Sequence, residues 1–146
     1  MKPHRDALTL DLFEVPVART PLPGALNFNR VLCHLIADIL KSSTRSRFEI
    51  AARMVELTGD SHISKNSLDA WTAESREGWR FPLEFLPAFE VACETTALSA
   101  WIAGIRGGKM LMGKDTLDAE IGKLERLKEE AARKIKQLKH AIGEME

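Results

Sequence analysis

Residues 46–82, SRFEIAARMVELTGDSHISKNSLDAWTAESREGWRFP, decide the fold that we expect for this chain. The stretch predicts a helix over 46–58, a stop at Gly59, a shorter helix over 64–73, and then a polar loop closed by Pro82. The first of these helices carries six apolar residues at spacings that place most of them on one face: Phe48, Ile50, Ala51, Met54, Val55 and Leu57.

The second helix of this stretch is short, capped and polar on one side. Ser64 is a favourable N-cap residue, and Leu68 and Trp71 supply apolar anchors three positions apart. A short anchored helix that presents polar side chains is what recognition of the DNA major groove requires. The polar positions are Lys65, Asn66, Ser67 and Asp69.

The composition predicts one compact domain with an appendage. The chain has 146 residues, of which 45% are hydrophobic and 29% charged, as in ordinary soluble proteins. The formal net charge is zero, and residues 26–113 hold equal numbers of basic and acidic side chains. Nucleic-acid-binding domains usually have a basic excess, so this balance counts against such a role. It does not exclude one, because the distribution of charge matters more than its sum.

Neither the cysteines nor the ends of the chain suggest export or a membrane. Cys33 and Cys93 stand in apolar helical runs without metal-ligand spacing, which favours buried free thiols. No apolar run has the length of a membrane span, and MKPHRDALTLDLFEV lacks the apolar core of a signal peptide. We therefore expect a cytoplasmic protein.

Catalytic and metal-binding patterns are missing from the sequence. It contains no glycine-rich phosphate loop, no H-E-x-x-H and no cysteine pair at zinc spacing. The histidines lie in four different segments, at His4, His34, His62 and His140. We expect no enzyme activity, no cofactor and no metal site.

The residues before position 26 read as an extended arm. The segment 8–17, LTLDLFEVPV, alternates apolar and polar residues, and Pro16, Pro21, Pro23 and Gly24 then prevent regular structure. Two interpretations stay open: a tether packed on its own domain, or a docking arm for a partner or a second subunit.

Residues 26–113 predict a domain of five helices. Apolar residues at spacings of three and four predict helix 1 over 26–43. After the loop, in which Trp79 and Phe81 are expected to contact the core, helix 4 begins between Pro82 and Leu86, because Pro87 would kink a helix begun earlier. The segment 96–106, TALSAWIAGIR, is helix 5.

Residues 114–146 carry a heptad pattern that predicts a coiled-coil oligomerisation helix. Lys128 is a polar intrusion in the a positions. The alternative is a single amphipathic helix packed on the domain. The predicted oligomerisation residues are Leu117, Ile121, Leu124, Ala131, Ile135, Leu138 and Ile142.

Two sequence patterns predict different orientations of the helices in such a coiled coil. Isoleucine at a, leucine at d and one polar a residue favour a parallel dimer. In that dimer Glu120 would face Glu125 and Lys134 would face Lys139, and both pairs repel. An antiparallel pair instead matches opposite charges, such as Asp118 with Lys139, and we favour it slightly, or packing in a higher oligomer.

The segments IAARM (50–54) and ISKNSLDAW (63–71), followed by Pro82, Leu86, Phe89 and Ala92, resemble lambda-repressor-like helix-turn-helix domains. The whole sequence is similar to small regulatory proteins of temperate and Mu-like bacteriophages, which place such a domain before a stretch like TALSAWIAGIRGGKML and end in an oligomerising helix. The resemblance implies a prophage-encoded DNA-binding regulator. The turn after Gly59 and the loop 71–82 are longer than in that family.

If the shorter helix enters the major groove, Lys65 and Asn66 read bases, while Ser64 and Ser67 contact phosphates or bases. Around the start of helix 2, Arg45, Ser46 and Arg47 can hold a phosphate, where backbone amides also favour an anion. Asp69 would repel phosphate unless it pairs with an arginine or accepts from cytosine.

Arg76 in the long loop would add a further contact to DNA. We therefore expect an oligomer that binds double-stranded DNA in prophage transcriptional regulation. The alternative is a non-catalytic adaptor that keeps the scaffold without binding DNA. In that case the arm and coiled coil recruit a phage or host protein.

Overall fold

The computed structural model describes residues 15–145, and this part of the chain is all-helical. It contains six α-helices and, within the described residues, no β-strand, only an isolated backbone bridge. The chain divides into two units, and each is described by itself. The first extends to Lys109 and the second begins at Met110. The predicted all-α class with a long C-terminal helix is confirmed.

The helices begin and end close to the positions that the sequence predicts, because their ends are set by local capping residues. Ser46 and Ser64 cap two of them, and Gly59 ends the first of this pair in a left-handed conformation with a φ of 73°. The helices are α1 (Asn29–Ser42), α2 (Arg47–Thr58), α3 (Lys65–Thr72), α4 (Leu86–Cys93), α5 (Ala97–Ile105) and α6 (Lys114–Gly143), with a 3₁₀ turn at Leu83–Phe85 before α4.

One hydrophobic core joins the helices of the first unit. Every helix from α1 to α5 contributes a side chain that is fully enclosed: Ile36, Ile50, Met54, Leu68, Phe89 and Leu98. Cys33 and Cys93 are buried with free thiols, as expected. Burial raises the pKa of the Cys93 thiol to about 11, so this side chain stays neutral and behaves as an apolar core group.

The apolar face expected for α2 is narrower in the structure. Ile50, Ala51 and Met54 are buried, but Phe48 and Leu57 are exposed. Successive residues of a helix are rotated by about 100°, which places Phe48 more than about 100° from the centre of the buried face. Phe48 is therefore exposed because of its position on the helix, although its side chain is hydrophobic.

Helix α4 is buried on most of its surface, and Glu90 is the charged residue within it. The Glu90 side chain is only 8% exposed. Its carboxylate accepts hydrogen bonds from the backbone N–H of Ser99 at 2.8 Å and from the Ser99 hydroxyl at 2.7 Å. Thr95 Oγ1 accepts from the N–H of Ala97 at 3.2 Å. Glu90 and Thr95 thus satisfy amide donors at the start of α5, where a negative charge is also favoured by the helix dipole.

The described part of the N-terminal arm contacts the end of α5. Ala18 forms an antiparallel bridge with Arg106, and the N–H of Arg19 donates to the Ile105 carbonyl at 2.9 Å. A side chain at Gly107 would come within 2.5 Å of the Ala18 backbone, and its φ of 74° also favours glycine. These contacts support the tether interpretation for this part of the arm. Most of the alternating segment 8–17 lies outside the described residues.

The second unit is dominated by α6, in which no side chain is buried. Its apolar a and d residues form a continuous stripe, as the heptad pattern predicts. None of the helices in residues 15–145 combines the length and apolar composition of a membrane span.

We expect the substitution Glu90→Ala to lower the free energy of unfolding by about 2 kcal/mol, since it leaves two partly buried donors of Ser99 without an acceptor. Glu90→Gln should lower it less, because an amide oxygen still accepts one bond. Urea denaturation followed by circular dichroism measures both changes. Glu84→Ala, at an exposed position, is the matched control. Equal midpoints for Glu90→Ala and Glu84→Ala would contradict a capping role.

Candidate nucleic-acid interface

Ser46 begins α2 with a reciprocal capping box. The N–H of Glu49 donates to Ser46 Oγ at 3.3 Å, and the N–H of Ser46 donates to the Glu49 carboxylate at 2.6 Å. The hydrogen bond from the Ser46 N–H, followed by the interaction with the Ser46 hydroxyl, holds the pKa of the Glu49 carboxyl below its usual range. The predicted phosphate position at this helix end therefore carries its own carboxylate, and two of the amides there already have partners.

Ser64 and Ser67 do the same at the start of α3. The N–H of Ser67 donates to Ser64 Oγ at 3.3 Å, and the N–H of Ser64 donates to Ser67 Oγ at 3.1 Å. The Ser67 hydroxyl also lies 3.3 Å from the His62 carbonyl, to which it donates. Both predicted contact residues thus define where α3 begins and how it leaves the preceding turn.

Asp69 forms ion pairs with two of the predicted DNA-binding cations. Its Oδ1 lies 2.6 Å from Nη1 of Arg47, and its Oδ2 lies 2.5 Å from Nζ of Lys65. Arg47 also donates to Thr72 Oγ1 at 3.3 Å. The hydrogen bond from Lys65, followed by that from Arg47, keeps the pKa of Asp69 below its ordinary value although partial burial opposes this. We call Arg47, Lys65 and Asp69 the Asp69 clamp.

The clamp joins α2 to α3 and reduces the charge of the predicted interface. Two positive side chains and one carboxylate leave a single net positive charge. The arginine partner that the sequence analysis required for Asp69 is therefore present, as Arg47. The same contact orients both cations toward protein oxygen atoms.

Arg45 occupies a different place from the clamp. Its Nη1 donates to the Ala92 carbonyl at 2.8 Å, and its Nη2 lies 2.8 Å from Glu94 Oε1. Ala92 belongs to the last turn of α4, where carbonyl groups lack helical partners, and Glu94 follows with a φ of 55°. Both terminal nitrogens of Arg45 thus fasten the end of α4.

Asn66 and Arg76 are the predicted contact residues with exposed and unengaged side chains. Within residues 15–145 neither side chain takes part in a hydrogen bond or an ion pair. Asn66 lies on α3 between the clamp residue Lys65 and the cap residue Ser67, and Arg76 lies in the loop that follows α3.

The loop after α3 is held at both ends by side chains. Glu74 forms an ion pair with Arg30, at 3.4 Å, and its carboxylate contacts the imidazole ring of His34, with both partners on α1. Phe81 stacks edge-on against Trp71 and Phe89, with ring centroids 5.3 Å from each. The expectation that Trp79 also packs on the core is wrong, because Trp79 is 53% exposed while Phe81 fills the space between the two rings.

Phe48 is a candidate interface residue that the sequence analysis did not single out. Its side chain is 68% exposed, and its ring centroid lies 5.8 Å from Lys65 Nζ. An exposed aromatic ring beside a lysine can pack on a thymine methyl group or on a protein partner. Its angular distance from Ile50 and Met54 on the helix was the available signal.

No family model, curated protein or solved structure matches this chain. The resemblance to phage regulators therefore stays a prediction.

We expect the wild-type protein to lose more stability than Asp69→Asn as the pH falls from about 5 to about 2. A carboxyl group with a depressed pKa stabilises the fold above its ordinary pKa of about 4, and this contribution disappears as it is protonated. The measurement is a series of urea denaturation curves across this pH range.

The control for this pH series is Asp38→Asn, which removes an exposed carboxylate from α1. Its pH dependence should follow that of the wild type. Parallel curves for the wild type and Asp69→Asn would show that the clamp does not contribute to stability.

Proposed function

We propose that this protein binds double-stranded DNA through α3 and the first turn of α2, and that it acts as an oligomer in the transcriptional regulation of a prophage. The observation that carries the proposal is the build of α3. Eight residues, capped by Ser64, bury Leu68, Ala70 and Trp71 against the core. The opposite side presents Asn66 to solvent, with Lys65 half-buried beside it.

DNA binding at this surface requires an exchange of partners within the Asp69 clamp. A phosphate or a base edge that takes Lys65 or Arg47 must replace a carboxylate 2.5–2.6 Å away. The gain per contact is correspondingly small, because one charged pair is traded for another. Asn66 and Arg76 need no such exchange, so we assign them contacts with a base and a phosphate, respectively.

Arg45 and the two cap serines have a supporting role in this proposal. Arg45 holds the end of α4, while Ser46 and Ser64 set the starts of α2 and α3. Oligomerisation through α6 supplies the remaining affinity, since one short helix reads few base pairs and linked units raise the effective concentration of the second contact.

A protein-binding adaptor is the second candidate, and a specific feature favours it. Three cations of the predicted interface, Arg45, Arg47 and Lys65, are paired internally, while Phe48 and Trp79 are exposed. Exposed aromatic side chains are enriched in protein–protein interfaces. Binding to duplex DNA distinguishes the two candidates.

We expect Lys65→Ala combined with Asn66→Ala to weaken binding to duplex DNA by about 10-fold or more, because both side chains contact bases. The measurement is a gel shift at low salt with DNA from beside the gene, repeated at rising salt to obtain the electrostatic slope. Arg53→Ala, which removes a cation from the exposed surface of α2, is the matched control and should bind like the wild type. A wild-type protein that forms no complex at low salt would favour the adaptor.

Asp69→Asn should strengthen binding to the same DNA by several-fold, since it releases Arg47 for a phosphate and Lys65 for a base, and it should steepen the salt dependence by about one contact. Fluorescence anisotropy with labelled duplex measures both effects. Glu56→Gln removes a carboxylate from the Arg53 pair and provides the control. Unchanged affinity in Asp69→Asn would exclude Arg47 and Lys65 from the contact with DNA.

A further inference from the structure

The apolar stripe of α6 is exposed in a single chain, and the packing of the first unit gives no reason for it. Its isoleucine and leucine side chains are 53–66% exposed in a single chain. A solitary helix of this kind is marginally stable in water, and a soluble protein rarely exposes such a continuous stripe. The side chains concerned are Leu117, Ile121, Leu124, Ile135, Leu138 and Ile142.

We infer that α6 pairs with α6 of a second copy of this chain in an antiparallel dimer, with Lys128 of each copy opposite Ala131 of the other. The inference deepens the proposed function and rests on the oligomerisation proposed there. It does not depend on whether DNA is bound.

The core layers fit this register along the whole helix. An antiparallel pair brings each a residue against a d residue of the other copy. Placing Lys128 opposite Ala131 then pairs every isoleucine with a leucine. The resulting layers are Leu117 with Ile142, Ile121 with Leu138, and Leu124 with Ile135, each formed twice.

The polar residue Lys128 is also accommodated in this orientation. In the antiparallel pair the alkyl chain of Lys128 packs beside the small Ala131, and its ammonium group can reach water. A parallel dimer would instead place the two Lys128 side chains in one layer, where they repel. It would also place Ala131 against Ala131, where a void is left.

Charges beside the core give the same orientation. In the antiparallel register Asp118 of each copy faces Lys139 of the other, and Glu120, Glu125 and Lys134 face uncharged residues. Within the described residues neither Asp118 nor Lys139 forms an ion pair in its own chain, whereas Lys134 bonds Glu130 at 2.9 Å. The parallel dimer contains only the repulsive pairs of Glu120 with Glu125 and Lys134 with Lys139.

The orientation determines how far apart the first residues of the two α6 helices lie. A helix of 30 residues is about 45 Å long. The two copies of Lys114 are then separated by roughly that length, instead of the roughly 10 Å of a parallel pair. Each copy of the first unit is attached at an opposite end of the coiled coil.

Disulfide trapping with variants of the full chain that each add one cysteine tests the register. We expect Ile121→Cys alone and Leu138→Cys alone to give no cross-linked dimer in a glutathione redox buffer. In the proposed dimer, identical positions are about 25 Å apart along the axis. An equimolar mixture of the two variants should cross-link, because residues 121 and 138 share a layer.

Two controls accompany the trapping experiment. The unchanged chain controls for Cys33 and Cys93, which are buried, and Ala119→Cys controls for a thiol on the outer side of α6. Light scattering should give the mass of a dimer for every full-length variant and of a monomer after removal of residues 115–146.

The outcomes separate the orientation from the oligomerisation. A monomeric full-length chain overturns the proposed oligomer and the inference with it, and a mass above that of a dimer overturns the inference alone. A dimer in which either single variant cross-links is parallel, and one in which the mixture also fails to cross-link does not use this register. Both results overturn the inference while the proposed oligomer stands.

Discussion

The burial of α4 is the constraint on which the first unit depends. An eight-residue helix is unstable by itself, so its neighbours must supply partners for its ends. Pro87, in the first turn, has no backbone N–H and so needs no hydrogen-bond acceptor. The Arg45 guanidinium donates a hydrogen bond to the Ala92 carbonyl. From the middle of α4, Glu90 extends to the start of α5. The position of α5 and the contacts of Arg45 therefore both follow from the burial of α4.

Local rules predicted the helices but not the partners of their side chains. Periodicity and capping act over three or four residues, and so the positions of Ser46, Gly59 and Ser64 were sufficient to bound α2 and α3. The partner of Arg45 lies 49 residues away in the sequence. No local pattern distinguishes an arginine that fastens a helix end from one that is free to bind phosphate. The exposure of Phe48 was not predicted for a related reason, because a hydrophobic residue at a helix start can lie outside the buried face.

In the candidate interface, the positions of two cationic side chains are fixed and the net charge is low. The Asp69 clamp fixes the side chains of Arg47 and Lys65, which lowers the entropy lost on ordering them at a surface. It also screens both cations from distant phosphates, so long-range attraction to nucleic acid is reduced. Under the proposed function, such an interface discriminates through contacts at short range and depends on pairing of two subunits through α6 to reach useful occupancy.

The bridge between Ala18 and Arg106 has a consequence for the order in which the protein folds. It joins residues from opposite ends of the first unit, and Ala18 packs closely on Gly107 just after the end of α5. Closing so long a loop is entropically unfavourable until the intervening helices have formed. Ala18 and Arg19 are therefore among the last residues of the first unit to be fixed in place.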